Sequence, residues 1–189
     1  ITTGLPTRFE TNELLAFKMS SASVTASSLD ASFISLDSNV SITLDYEVIA
    51  ADLGLDSDAT LNLDGPSTIR AFGTPSLALG SELRINDSLA LNKQVEFSGM
   101  GSLIVAENAS LAPVGKAVVL AVDVTNNGTL AINKAGFNTR DLTIGNVGTD
   151  RSYTQSSFGT LELVIEGSDA SEHNYDDIDV YGDVDLAGT

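Results

Sequence analysis

The chain lacks cysteine and tryptophan, and its 189 residues include a single histidine, His173. Without cysteine, neither a disulfide nor a thiolate metal site can contribute to the fold. An exported protein without disulfides is more typical of a prokaryote than of a eukaryote. Aromatic residues make up only 6% of a chain that is 42% hydrophobic, so we predict a core of Leu, Val, Ile and Ala. Such small, uniform side chains suit a narrow and repetitive interior.

Basic residues are also scarce: 9 Lys and Arg stand against 26 Asp and Glu, for a formal net charge of −17. Because phosphate groups are bound by clustered Lys and Arg, this composition argues against nucleic acid and anionic membrane surfaces as partners. No run of 18 apolar residues is present, so no membrane insertion is predicted. The charge is typical of a protein that stays soluble in a salty extracellular medium, and binding of divalent cations is a second interpretation.

Helical periodicity is missing as well, because Gly, Ser, Thr, Asn and Asp interrupt the chain every few residues. Short alternating stretches take its place, the clearest being FGTLELVIEGSDASEHNYDDIDVYGDVDLAGT at 158–189, with shorter versions at 59–65, 101–111 and 128–136. Asp30, Asp37 and Asp45 close three further runs. Strands this short bury little surface alone, so we expect them to gain stability by stacking on equivalent strands in neighbouring turns.

Apolar-x-apolar units recur with a longer period. The spacings between them are 19, 22, 20, 27 and 31 residues, counted from Ile42 through Leu61, Leu83, Leu103, Leu130 and Leu161. A spacing near 20 is typical of one turn of a β-solenoid, and the two wider spacings predict loop insertions, at 133–138 and 150–157. We therefore predict an all-β fold, a parallel β-solenoid with short strands. An ordinary β-sandwich, whose strands also recur regularly, is the alternative.

Two segments follow from this pattern. Residues 1–22 form an N-terminal capping or linking segment, and residues 23–189 form the solenoid domain, with 158–189 as its last unit. Within the first segment, 13–19 fits a short helix capped by Thr11 or Asn12, and it fits a strand equally well. Because the chain starts at Ile1 and stops within a new Gly-Thr phrase, we expect a processed product or a part of something longer.

The last unit carries a resemblance to a known group. Gly159-Thr-Leu-Glu-Leu, then Gly167, Tyr175-Asp-Asp-Ile-Asp-Val and Gly182-x-Val-x-Leu-x-Gly188 resemble a phrase of bacterial autotransporter passengers and related large exported surface adhesins. Val124-Thr-Asn-Asn-Gly-Thr-Leu-Ala-Ile is similar to another phrase of that group. The resemblance implies a right-handed parallel β-helix, an extracellular or cell-surface location and an adhesive or scaffolding role. Ile178 stands where that group has Leu.

Calcium is the candidate ligand with most support from the residues, since it is bound by six to eight oxygens from carboxylates, carbonyls and water. Asp56 and Asp58, and the group Asp176, Asp177 and Asp179, supply carboxylates at short spacing. Neither group matches an EF-hand loop, and strand alternation sends Asp177 and Asp179 to one face and Asp176 to the other. His173 lies in a polar loop without a second nitrogen or sulfur ligand for zinc, so we interpret it as a solvated residue.

Catalysis has weaker support. β-Helical lyases and hydrolases use clustered carboxylates with a base, for which the candidates are Asp52, Asp56, Asp58 and Asp64, with Arg70 and Arg84 one turn on. Turn chemistry alone explains Asp at such corners, and no phrase presents a nucleophile, so we predict a protein that is not an enzyme. Sugar binding needs exposed aromatic rings, for which the candidates are Tyr46, Tyr153, Tyr175 and Tyr181.

We therefore predict a non-catalytic extracellular structural or adhesive protein: a surface stalk, matrix component or filament subunit that assembles through its solenoid ends. The predicted partners are further copies or neighbouring repeats, with a surface glycan as an additional candidate. The alternative function is a carbohydrate-binding module or a polysaccharide lyase-like enzyme on the same fold. Calcium is the sole candidate cofactor.

Overall fold

The computed structural model describes residues 8–10, 16–19, 28–45, 47–70, 74–92, 94–114, 117–132, 141–163 and 177–187, and up to residue 32 it describes the backbone alone. Within these ranges every regular element is a β-strand and there is no helix. All paired strands run parallel, and the one antiparallel contact is the isolated bridge between Asn146 and Thr149. A sandwich is built from antiparallel sheets, so the β-solenoid prediction is confirmed and the sandwich alternative is wrong.

The strands stack into three faces, which we name A, B and C, and each turn of the chain visits the faces in that order. Two nine-residue strands, β3 (Ser28–Leu36) and β5 (Glu47–Leu55), bend around the edge from face A to face B. Face A otherwise contains β1 (Arg8–Glu10), β7 (Ser67–Ile69), β10 (Ser88–Leu91), β13 (Ser110–Pro113), β16 (Thr129–Ile132) and β19 (Thr160–Leu163).

Face B contains β2 (Ala16–Met19), β8 (Ser76–Leu77), β11 (Val95–Gly99), β14 (Ala117–Leu120), β17 (Asp141–Ile144) and β20 (Asp177–Val180). Face C is a separate sheet of seven described strands: β4 (Ser41–Leu44), β6 (Thr60–Leu63), β9 (Glu82–Ile85), β12 (Ser102–Val105), β15 (Asp123–Asn126), β18 (Tyr153–Gln155) and β21 (Val184–Leu186). Because β2 is a strand paired with β3, the helix alternative is wrong for 16–19, and 13–15 lie outside the described residues.

Alternation in four-residue strands builds the core. In β9, Leu83 and Ile85 are fully buried while Glu82 and Arg84 face outward, and β4, β6, β10, β12, β13, β14, β15 and β17 repeat this alternation. A side-chain period of two puts every second residue inside, so each turn adds one inward pair from each face. The described core consists of Leu, Ile, Val and Ala, with Phe97 and Tyr153 as its aromatic members, in agreement with the prediction of a narrow aliphatic interior.

The corners between faces B and C need residues that tolerate a left-handed backbone. In three successive turns the corner places Asn39, Asp58 and Gly80 at φ values of 61°, 59° and 77°, a region that Gly, Asn and Asp enter at low cost. The backbone N–H of Asn39 donates to the carbonyl of Ser57 in the next turn at 3.1 Å, and that of Asp58 donates to Leu79 at 3.3 Å. Corner polarity is therefore explained by backbone geometry.

The register corrects parts of the predicted period. Ile42, Leu61, Leu83 and Leu103 do form one column on face C. The next member is Val124; Leu130 lies on face A instead, between Leu111 and Leu161 in a different column. The predicted period passed from face C to face A at Leu130, because Leu-centred units occur on all three faces of the solenoid.

Two smaller predictions also change. An insertion at 150–157 is wrong, because Tyr153–Gln155 is β18 and the extra length lies before it, from Gly145 to Ser152. Asp30 does not close a run, because β3 continues through it to Leu36, whereas Asp37 and Asp45 do follow strand ends. The predicted insertion at 133–138 and the segment boundary at residue 22 lie outside the described residues.

Candidate functional site

The last described turn, formed by β19, β20 and β21, differs from the preceding turns with described side chains in how its inward residues are covered. Val184 pairs in register with Tyr153, and Leu186 with Gln155. Tyr153 and Gln155 are 3% and 7% exposed, whereas Val184 and Leu186 are 51% and 62% exposed. On face A, Leu163 is 43% exposed beside its buried register partner Ile132. We name this surface, made by β19, β20 and β21, the open end.

The open end also presents strand edges. β19, β20 and β21 pair with β16, β17 and β18 on one side, and the described part of the chain contains no strand on their other side. A parallel strand with one free edge keeps half of its backbone N–H and C=O groups available for another strand. The open end therefore combines exposed apolar side chains with backbone N–H and C=O groups that are available to another strand.

Carboxylates ring the open end. The outward positions of its three strands alternate with the apolar inward ones, and the acidic residues at these positions are all exposed: Glu162, Asp177, Asp179 and Asp185. Asp183, directly before β21, is exposed as well. No Lys or Arg lies in the described residues from 160 onward. Tyr181, 41% exposed, lies at the corner between β20 and β21. The surface is apolar at its centre and strongly negative at its rim.

The structure partly tests the geometry of the calcium candidates. Asp177 and Asp179 lie on the outward side of β20, as alternation predicts, and Asp141 is the register partner of Asp177. Among the described residues no group of three or more Asp, Glu, His or Cys side chains converges on a point that could hold a metal ion. Asp176 and His173 lie outside the described residues, and calcium binding stays a prediction.

The second calcium pair, Asp56 and Asp58, is separated from the first by most of the stack. Both are exposed residues of the corner between β5 and β6, and Asp58 adopts the left-handed conformation described above. The carboxylate of Asp58 covers Gly80 in the next turn, where an added Cβ would overlap with its Oδ1 atom. The structure thus assigns this pair a role in the corner and does not bring it near β20.

The candidate catalytic acids are dispersed as well. Asp52 lies half-buried on face B, where burial raises the pKa of its carboxyl and a hydrogen bond from the backbone N–H of Leu53 at 2.9 Å opposes that shift. Asp64 follows β6 at the opposite corner and accepts a hydrogen bond from Asn86 Nδ2 at 2.6 Å. The guanidinium of Arg84 donates to Glu82 on its own strand. The predicted set therefore shares no common face.

Tyr153 was predicted as an exposed ring, and this prediction is wrong. The register places Tyr153 in the inward column of Val124, so the ring is buried, and burial raises the pKa of its phenol while the hydrogen bond from Asn126 opposes that shift. Of the other sugar-binding candidates Tyr181 is exposed, and Tyr46 and Tyr175 lie outside the described residues. Phe158 is also exposed, at a corner.

A buried polar network surrounds Tyr153, and the sequence analysis missed it. Asn126 Nδ2 donates to Tyr153 Oη at 3.2 Å, and Tyr153 Oη donates to Gln155 Oε1 at 2.9 Å. Gln155 Nε2 then donates to the carbonyl of Gly159 at 3.1 Å. The available signal was that Asn126 and Gln155 occupy the same strand position two turns in succession, where apolar residues stand in the earlier turns.

Arg151 is a second residue that sequence reasoning missed. Its Nη2 atom donates to the carbonyl of Gly99 at 2.7 Å and its Nε atom to that of Ala121 at 3.3 Å. The side chain thereby spans two earlier turns along the corner between faces B and C. Both carbonyls lie where face B strands end, Gly99 at the end of β11 and Ala121 directly after β14.

These features define the described part of the chain as a β-solenoid whose last described turn presents an acid-rimmed open end. No protein-family profile, no curated protein and no solved structure matches it. Within the described residues no helix has the length and apolar character of a membrane span.

Proposed function

We propose that the chain is a non-catalytic structural element of an extracellular or cell-surface assembly, such as a stalk, a matrix component or a filament subunit. In this role it is lengthened by the stacking of a further solenoid turn on the open end. The observation that carries the proposal is the loss of cover in the last turn, where Leu163, Val184 and Leu186 are about half exposed although their register partners are buried.

A further turn stacked on the open end would cover its exposed apolar side chains and would also pair its free strand edges. Full burial of a Leu or Val side chain contributes about 1.5–3 kcal/mol, so covering the exposed half of these three contributes about 1 kcal/mol each. The free edges of β19, β20 and β21 would gain ladder hydrogen bonds, each with a net contribution of about 1 kcal/mol. An added strand with the same alternation is the partner that meets both requirements.

The proposed location has separate support. The net charge of −17 and the absence of cysteine suit a protein of a salty extracellular medium. The phrases of the last unit resemble those of autotransporter passengers, in which long solenoids extend from a cell surface. The described parts of the last unit form β19, β20 and β21.

The test is to place a charge in the centre of the open end. We expect the wild-type chain to associate end to end as its concentration rises, with lengthening particles in electron micrographs and increasing mass in sedimentation velocity. Leu186→Asp and Val184→Asp should stay monomeric, because a carboxylate cannot be buried at the contact without a partner.

The matched control is Ser76→Asp, which adds the same charge to an exposed, outward position of face B away from both ends of the stack. It should associate as the wild type does. A wild-type chain that is monomeric at every concentration, or an association that L186D leaves unchanged, would overturn the proposal.

A further inference from the structure

We infer that the open end takes the strands β1 and β2 of a second copy of this chain, in parallel and in the register of the existing stack. The inference rests on the proposed function, since it names the partner of the same surface. The contact is head to tail, so that each copy keeps one end free for the next.

The first argument is that β1 continues a column that reaches the open end. Phe9 of β1 pairs with Leu29 of β3. From Leu29 the register runs without a break through Val48, Ser67, Leu89, Leu111 and Leu130 to Leu161 of β19. A second copy stacked in the same register places its Phe9 next to Leu161. Val48, Ser67, Leu89, Leu111 and Leu130 are all buried, so the column is an inward one.

Face B supports the same arrangement. At one end Phe17 of β2 pairs with Ile34, and Ile34 pairs with Leu53. Ile34 and Leu53 are buried inward residues. At the other end Leu120, Ile144 and Val180 follow one another in register. β1 and β2 thus lie on the same two faces as β19 and β20, and they are joined along the chain in the same order. A second copy therefore brings strands for two faces together.

Charge favours the head-to-tail contact over a contact between two open ends. Two open ends brought face to face would oppose one ring of exposed carboxylates with another, and like charges directly opposite are destabilising. β1 and β2 carry the cations Arg8 and Lys18 with one acid, Glu10. A head-to-tail contact is heterologous, so it leads to an open filament rather than a closed dimer.

The same register identifies one unfavourable pair. Glu10 follows Phe9 in β1, and Glu162 follows Leu161 in β19, so stacking places the two acids in adjacent strands at the same register position. Glu10→Lys replaces this repulsion by attraction, and we expect association to tighten by about threefold to tenfold. Glu47→Lys makes the same change of net charge at an exposed position of face A away from the ends, and its effect should be smaller.

Cysteine cross-linking tests the orientation, because the chain has no cysteine of its own. Neighbouring parallel strands lie about 4.8 Å apart, which is within the range that a disulfide can bridge. Chains carrying Glu10→Cys and chains carrying Glu162→Cys are mixed under mild oxidation, and products are identified by mass spectrometry. We expect E10C–E162C heterodimers to exceed by at least about tenfold the products of an E47C–E162C mixture.

The outcomes separate the two proposals. The head-to-tail contact would be overturned by predominant E162C homodimers, or by samples that associate but show no cross-link above the E47C level. The proposed function would still stand in either case, provided that L186D abolishes the association. A chain that never associates would overturn both.

Discussion

The side-chain amide of Asn126 joins two turns of the solenoid, because its Nδ2 atom donates to Tyr153 Oη at 3.2 Å and to the carbonyl of Thr160 at 3.0 Å. Its Oδ1 atom accepts the backbone N–H of Gly128 at 3.2 Å. Asn126 is fully buried, so water cannot replace any of these partners. One side chain of β15 thus contacts β18 and β19, the last of which is a strand of the open end.

Replacing Asn126 by Ala should destabilise the fold by about 2–4 kcal/mol, because it leaves several buried polar groups without a partner at about 1–3 kcal/mol each. Urea denaturation followed by circular dichroism measures the change. Asn127→Ala, at the half-buried neighbouring corner position, should change the unfolding free energy by about 0.5 kcal/mol or less. Equal effects of the two substitutions would contradict the importance assigned to the network.

Asp52 predicts a dependence on pH. Burial raises its folded pKa above the ordinary value of 3.8, so the folded state holds the proton more tightly than the unfolded state does. The resulting contribution to stability is fully present below the ordinary pKa and is lost as the pH rises through the folded value. Asp52→Asn stays neutral throughout and keeps an acceptor for the N–H of Leu53. We therefore expect D52N to be more stable than the wild type at pH 7.

The advantage of D52N should disappear below about pH 3, where Asp52 is protonated in both states. Thermal unfolding at pH 3 and pH 7 gives the comparison. Asp56→Asn removes the same charge from an exposed corner position and corrects for the change in net charge. A D52N variant that is no more stable than D56N at pH 7 would show that burial of Asp52 has no energetic consequence.

Gly128 is required for the close approach of two corners. A Cβ atom at this position would overlap with the backbone carbonyl oxygens of Ala106 and Ala109 in the preceding turn. These oxygens accept hydrogen bonds from the backbone N–H groups of Ala109 and Thr129, so moving either oxygen would weaken a backbone hydrogen bond. Gly128→Ala should therefore cost about 1–3 kcal/mol in chemical denaturation. At Gly54 an added Cβ would lie 3.3 Å from Phe33 Cζ and 3.4 Å from Ser76 Oγ, both movable side-chain atoms, so Gly54→Ala should cost less. The reverse order would refute this explanation.

Arg151 should hold the last turns to the rest of the stack. Arg151→Lys keeps the charge but loses the planar fork that reaches the carbonyls of Gly99 and Ala121 together. We expect a loss of about 1–3 kcal/mol, seen in hydrogen exchange as reduced protection of the β18 and β21 amides. Arg84→Lys affects a partly exposed pair with Glu82 and should leave exchange unchanged. Uniform loss of protection over the whole stack would argue against a local role.

The candidate site was only partly predictable. That Asp177 and Asp179 share one face follows from alternation alone, and the acidic character of 158–189 is a matter of composition. The exposure of Val184 and Leu186 could not be predicted, because both have the pattern of core residues. What distinguishes them is the number of turns stacked on either side, which is a property of the assembled solenoid.

By itself the sequence determined the strand type, the inward and outward residues of most strands and the polar corners, because these depend on a period of two and on backbone preferences within a few residues. Only the tertiary structure decided which strands share a column. Leu130 belongs with Leu111 and Leu161 on face A, and Val124 continues the column of Leu103 on face C. Equivalent units on three faces look alike locally, and corners and loops of different length shift the spacing between them. The choice therefore rests on backbone pairing between residues distant along the chain.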